Sequence, residues 1–191
     1  MNIITGIDIP ILVRNNQAEK TEGTVMIIEQ DPLRNPKDPN LRPFSPFKNP
    51  IIGTPNALHF NPIAYPNSKI YRDIVDYILS KKHDVYLTDA NKIYTPYGKN
   101  DNPIKRYSHD DQAQRLLDKE ISIINPKVIL LVGNTAQYAF NNLPSNSISS
   151  IAIPHFAARA SSWTKQPYSV NPATDQNKYK YVISQLQRFG I

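Results

Sequence analysis

Short apolar runs alternate along this chain with segments whose apolar residues recur at helical spacing. Val25-Met26-Ile27-Ile28 is unbroken enough to form a strand buried on both faces, and a polar, proline-rich stretch follows from Glu29 to Pro66. Ile70, Ile74, Val75 and Ile78 fall on one helical face, with Asn67 or Ser68 as the candidate cap. Val85-Tyr86-Leu87-Thr88 predicts the next strand. A polar loop from Asp89 to Tyr107 then leads to Ser108, which can cap a helix turning Ala113, Leu116, Leu117, Ile121 and Ile124 inward. Val128-Ile129-Leu130-Leu131-Val132 is the plainest strand; Gly133 ends it, and Asn134 or Thr135 opens a short helix through Phe140. A fourth strand is expected from Ser150 to Ile153, stopped by Pro154, and Tyr179, Val182, Ile183 and Leu186 mark a terminal helix.

Strands that are apolar throughout, each separated from the next by a helix, predict a parallel sheet covered on both faces. The expected fold class is α/β: one three-layer αβα domain over residues 1–191, with a central four-stranded, mainly parallel sheet. Such sheets place their sites at the carboxyl ends of the strands. Four segments then share one rim: Glu29-Gln30-Asp31-Pro32, Thr88-Asp89, Gly133-Asn134 and Pro154-His155.

Composition narrows the chemistry available to that rim. The 191 residues contain no cysteine, which excludes disulfide scaffolds, cysteine-ligated zinc, iron–sulfur clusters and thiol nucleophiles. The longest strong apolar run, Val128 to Val132, is too short to span a bilayer, and Asp8 and Pro10 interrupt the stretch a signal peptide would need. A soluble, cytoplasmic, monomeric protein without a membrane partner is expected. Lysine plus arginine exceed aspartate plus glutamate by 22 to 16, and the resulting +6 suits a polyanion such as nucleic acid. The chain has no P-loop, no G-x-G-x-x-G, no H-x-x-x-H pair and no G-x-S-x-G elbow, so neither a metal nor a nucleotide cofactor is expected.

Two rim residues carry acid–base chemistry. Asp31 ends the first strand and precedes proline, a place for an Asx turn or for a carboxylate that orients water and faces a developing cation. Of the four histidines, His59, His83, His109 and His155, only His155 follows a strand. An acid and an imidazole on one rim can act on one substrate.

Together the segments resemble the uracil-DNA glycosylase superfamily. Glu29-Gln30-Asp31-Pro32 is similar to its first motif, which holds the water-orienting carboxylate, and Arg42-Pro43-Phe44 to the segment that stacks an aromatic on the flipped base. Tyr86-Leu87-Thr88-Asp89-Ala90-Asn91-Lys92 resembles the strand ending in the base-reading asparagine. Pro126 through Ala136 resembles the following strand, glycine and helix start, and Pro154-His155-Phe156-Ala157 the histidine-proline-serine motif. The resemblance implies a monofunctional, cofactor-free glycosylase that rotates a base out of double- or single-stranded DNA and hydrolyses its glycosidic bond. It implies Asp31 and His155 as catalytic residues, the first stabilising the sugar cation, the second bonding the base O2 as negative charge develops there. Gln30, Leu33, Phe44 and Asp89 would bind the base, with Phe47 or Phe60 as alternative stacking rings. Arg159, Phe156 or Trp163 would enter the space left by the base. Asn134, Lys92, Lys165, Lys99, Lys105 and Arg106 are candidates to meet DNA, the lysines and Arg106 at its phosphates.

Three departures from the family's pattern matter, Leu33 and Asp89 for the implied substrate and Phe156 for the geometry of the loop that would enter DNA. Leu33 stands where the main uracil enzymes carry a tyrosine that excludes 5-substituted bases, and Phe156 replaces the proline after the histidine. Asp89 stands in place of the asparagine. An ionised carboxylate only accepts hydrogen bonds, so it repels uracil O4 and suits the N4 amino group of cytosine. The expected target is a cytosine enlarged at position 5, hydroxymethylated or glucosylated as in some phage DNA, with antiviral defence as the role; the stretch from Asn35 to Pro66 would shape a pocket for the extra group. A register in which Thr88 or Asn91 reads the base stays open. So do a uracil-repair glycosylase, a non-catalytic nucleic-acid-binding relative, and an unrelated α/β hydrolase.

Overall fold

In a computed structural model of the chain, the structure describes residues 6–8, 10–15, 20–29, 51–52, 69–94, 111–156 and 158–191. Among them the elements run β1 (Gly6–Ile7), β2 (Ile11–Val13), β3 (Thr24–Glu29), β4 (Ile51–Ile52), α1 (Lys69–Ser80), β5 (Asp84–Asp89) and β6 (Ile93–Tyr94). They continue with α2 (Asp111–Ile124), β7 (Val128–Val132), α3 (Asn134–Asn141), β8 (Ser150–Ile153), α4 (Ala160–Thr164) and α5 (Asp175–Gln187).

The main sheet has the order β2-β5-β3-β7-β8. Its four parallel members are the four strands expected from the apolar runs. Val25 of β3 is in register with Val85 on one side and Val128 on the other, and Leu130 of β7 with Ile151. A fifth, short strand, β2, adds antiparallel to the free edge of β5, so the sheet is five-stranded rather than four-stranded. A second small sheet pairs β1 with β4 and β6; it ties residues 51–52, inside the proline-rich stretch, to the chain just beyond β5.

Alternation along β3 shows why its sequence is apolar throughout. Val25 and Ile27 point into a cluster with Ile74, Val75 and Ile78 of α1, Trp163, and Val182 and Leu186 of α5. Met26 and Ile28 point the other way, to Ala113, Leu117 and Ile121 of α2 and Ala136, Ala139 and Phe140 of α3. These are the three layers, helix on sheet on helix. Each fully buried aliphatic side chain contributes about 1.5–3 kcal/mol. Leu116 departs from expectation, being 50% exposed. The buried stripe of α2 is Ala113, Leu117, Ile121, and Leu116 sits about 100° around the helix from Leu117. No helix among the described residues is long and apolar enough to cross a membrane.

His83, in the connection from α1 to β5, is almost fully buried, and its Nδ1 has no partner among the described residues. Burial, assisted by the charge of Lys127, lowers its pKa from the usual 6.5, against the pull of backbone hydrogen bonds and Glu22. The unfolded chain therefore binds this proton more readily than the folded one. The stability contribution is complete above about pH 6.5 and is lost as pH falls below it. Melting temperatures measured from about pH 8 down to about pH 5 should fall, and should fall less in His83→Gln.

Candidate active site

Glu29 and Asp89 are the last residues of adjacent parallel strands and stand in register with each other. Both are buried, Asp89 completely. Strand alternation puts them on the face of Val25, Ile27, Val85 and Leu87, the side covered by α1. There Tyr71 of α1 is also buried. Burial first, then the negative charges of Glu29, Asp89 and Asp8, push its pKa well above 10.0, so the phenol keeps its proton.

Thr88 faces the opposite side, toward α2. Its hydroxyl lies 2.9 Å from Asp8 Oδ2 and 2.8 Å from Glu120 Oε2. The Lys92 ammonium donates to the same two carboxylates, at 2.9 and 2.8 Å, and to Thr88 Oγ1. Asp8 closes the arrangement: its own N–H donates to the Lys92 carbonyl at 2.8 Å, and its Oδ2 accepts the Asp89 N–H at 3.1 Å. Lys92 was expected among the phosphate-facing lysines. It is instead only 6% exposed, with all three ammonium donors engaged inside the protein, where it is the counter-charge of the buried Asp8 and the partly buried Glu120.

On the next part of the rim, β8 ends at Ile153, whose carbonyl accepts the Gly133 N–H at 2.8 Å and the Gln137 side-chain amide at 3.1 Å. Gly133, with φ of 89°, takes a conformation that glycine adopts without steric cost and leads directly into α3. His155 follows, half-buried. Its carbonyl accepts the Ala158 N–H at 2.8 Å and the Trp163 indole N–H at 3.3 Å. The Lys178 ammonium, on α5, donates to the Phe156 carbonyl at 3.0 Å and lies 5.8 Å from the Trp163 ring centroid. The histidine is thus carried on a turn bound to α4 and α5.

Lys178 is 7% exposed and carries the one ammonium seen on the Phe156 carbonyl among the described residues. Lys178→Met keeps most of the aliphatic stem and removes this bond. A destabilisation of about 1–3 kcal/mol is expected, with a melting temperature several degrees lower by differential scanning calorimetry.

The aromatic candidates for entering DNA are packing residues instead. Phe156 stacks on Trp163, with centroids 6.2 Å apart and planes at 17°, and meets Tyr71 edge-on at 5.9 Å. Trp163 is completely buried. Neither side chain is presented for insertion, since both rings are part of the contact between this turn and the core. Arg159 and Lys165 flank α4 and are exposed, as is Asn134 at the start of α3. Gln30, Asp31, Leu33 and Phe44 lie outside the described residues, as do Phe47, Phe60, Lys99, Lys105 and Arg106. Glu29 stands on the rim that the sequence predicts but with no role assigned from it, and Tyr71, Asp8 and Glu120 join the site only through the fold.

A mainly parallel sheet between two helical layers, with buried acids and a braced histidine at the carboxyl ends of its strands, defines an α/β protein; sites of such folds lie at that rim. The family model of the uracil DNA glycosylase superfamily matches residues 17–184, and the chain belongs to that superfamily. Its members are in general hydrolytic DNA glycosylases. No curated protein gives a significant match to the chain.

Proposed function

We propose that this protein is a monofunctional DNA glycosylase acting on a modified cytosine, hydroxymethylated or glucosylated, of the kind some phage DNA carries, and that its role is antiviral defence. The observation that carries the reading is Asp89: a wholly buried carboxylate at the carboxyl end of β5, where the superfamily resemblance sets the base-reading asparagine. A buried carboxylate facing a carbonyl oxygen is strongly disfavoured, whereas an amino group satisfies it. The neighbourhood adds to this preference, since Glu29 and Asp8 bring further negative charge to the same strand ends.

In this reading the flipped nucleotide loses its base by cleavage of the C1′–N1 bond, the bonding electrons leaving with the base. Asp31 faces the positive sugar and orients water toward C1′; it takes the proton released as water adds. His155 donates a hydrogen bond to the base O2, where negative charge grows, and the brace formed by Trp163, Ala158 and Lys178 on its turn favours a fixed orientation. Gln30, Leu33 and Phe44 complete the base pocket, with leucine leaving space beside the 5-substituent. Arg159 fills the vacated position in the duplex, and Asn134 and Lys165 contact the strand.

The direct test is a glycosylase assay with alkaline cleavage on matched DNAs carrying uracil, a thymine mismatch, cytosine, hydroxymethylcytosine or glucosylated hydroxymethylcytosine. Strand breaks confined to the modified-cytosine DNAs are expected. Breaks at uracil would return the protein to conventional repair, and binding without any break would favour a non-catalytic relative.

A further inference from the structure

We infer that Asp8, Lys92 and Glu120 set the base selectivity of the site from behind Asp89, as positioning residues; the inference rests on the proposed reading of Asp89. The contact that links them to it is through the main chain. Asp8 Oδ2 accepts the Asp89 N–H at 3.1 Å, which fixes the orientation of the last peptide of β5 and therefore the direction from which the Asp89 side chain leaves. Asp8 is itself held at both ends by one residue, its N–H on the Lys92 carbonyl and its carboxylate on the Lys92 ammonium. Glu120 then ties that ammonium to α2 at 2.8 Å. Residues 88–92 thus close around Asp8, and the closure is pinned to a helix of the opposite layer.

The cluster also sets the local field. Two carboxylates share one ammonium, so the three side chains together carry one net negative charge. Asp8 is buried, and Glu120 retains 17% side-chain exposure, so this charge is weakly screened and acts beside Asp89. A negative field there favours a base edge that presents an amino group and disfavours one that presents a carbonyl. Removing one of the carboxylate charges makes the cluster neutral while its shape is kept.

The test uses the full chain and two duplexes that differ at one nucleotide, a 2′-fluoro-5-hydroxymethyl-cytidine or a 2′-fluoro-5-hydroxymethyl-uridine, each set opposite an abasic site so that neither is paired. The fluorine disfavours the sugar cation and slows bond breaking, so affinity is read separately from hydrolysis. Wild type is expected to prefer the cytidine duplex. Glu120→Gln should narrow that preference about ten-fold. Asp8→Asn, which removes the same charge from the strand side, should narrow it in the same direction. Asp111→Asn, on the same helix and exposed, should leave it unchanged. A ratio within about two-fold of wild type in both cluster variants, or an equal change in Asp111→Asn, would overturn the inference. A wild type that prefers uridine, or neither duplex, brings down the reading of Asp89 and this inference with it; that failure is seen before any variant is made.

Discussion

Asp31→Ala should abolish base release while leaving DNA binding intact. If the carboxylate holds the attacking water and faces the sugar cation, its removal withdraws stabilisation that exists only in the transition state. The expected loss in single-turnover rate is about 10²- to 10⁴-fold. Ground-state affinity should not fall, because an acid beside a polyanion contributes repulsion rather than attraction; a slight tightening at low salt is the expected sign. Mobility-shift titration alongside the cleavage assay reads the two quantities together. This split separates an enzyme from a binding module. A relative that merely holds DNA yields no abasic product in either form and shows no difference in rate. Equal cleavage by wild type and variant would place the chemistry on another residue.

Much of the fold could be read from the chain because its core strands are extreme. Val25-Met26-Ile27-Ile28 and Val128 to Val132 are apolar at every position, and in the structure each is covered by a helical layer on both sides. The helices were legible from residues three and four apart, such as Ile70, Ile74 and Ile78. What escaped was too short or too distant. β2 has three residues and β1, β4 and β6 two each, below any length at which a period can be recognised. Leu116 looked like its neighbour Leu117 because both are apolar and only the packed helix decides which turns inward.

The site shows the same division. His155 and Asp89 could be placed on one rim because each ends or follows an apolar strand. Glu29 does so too, and its signal, an acid closing an apolar run, was available in the sequence. Lys92 was not legible in this way: a lysine in a polar loop looks solvated, and its partners Asp8 and Glu120 are 84 and 28 residues away. Phe156 beside a rim histidine fits an inserting wedge equally well until Tyr71 and Trp163 are found on its ring. Contacts formed across the fold carry no local pattern, and these decide whether a charge or a ring serves the ligand or the core.

Asp89→Asn should convert the base preference. The two side chains have nearly the same shape, so packing at this wholly buried position is preserved. The bond from the Asp89 main-chain N–H to Asp8 does not involve the side chain and holds the strand end in place. The chemistry presented to the base changes, however. An amide offers both a donor and an acceptor, which meet uracil O4 and N3–H, while it gives up the charge that favours an amino group. Release of the modified cytosine should fall about 10- to 100-fold, the equivalent of about 1–3 kcal/mol, and release of uracil should appear. Stability supplies an independent sign. Glu29, Asp8 and Glu120 already bring three acids to this region against Lys92, so neutralising a fourth should leave the melting temperature unchanged or raise it. A variant that melts lower and loses both activities would mean that Asp89 holds the strand ends together rather than reading the base. A variant with unchanged preference would move base reading to Thr88 or Asn91. The predicted combination, a switched base and an undiminished fold, requires a carboxylate kept in the interior at a cost in stability, as it would be if its negative charge is what the substrate's amino group answers.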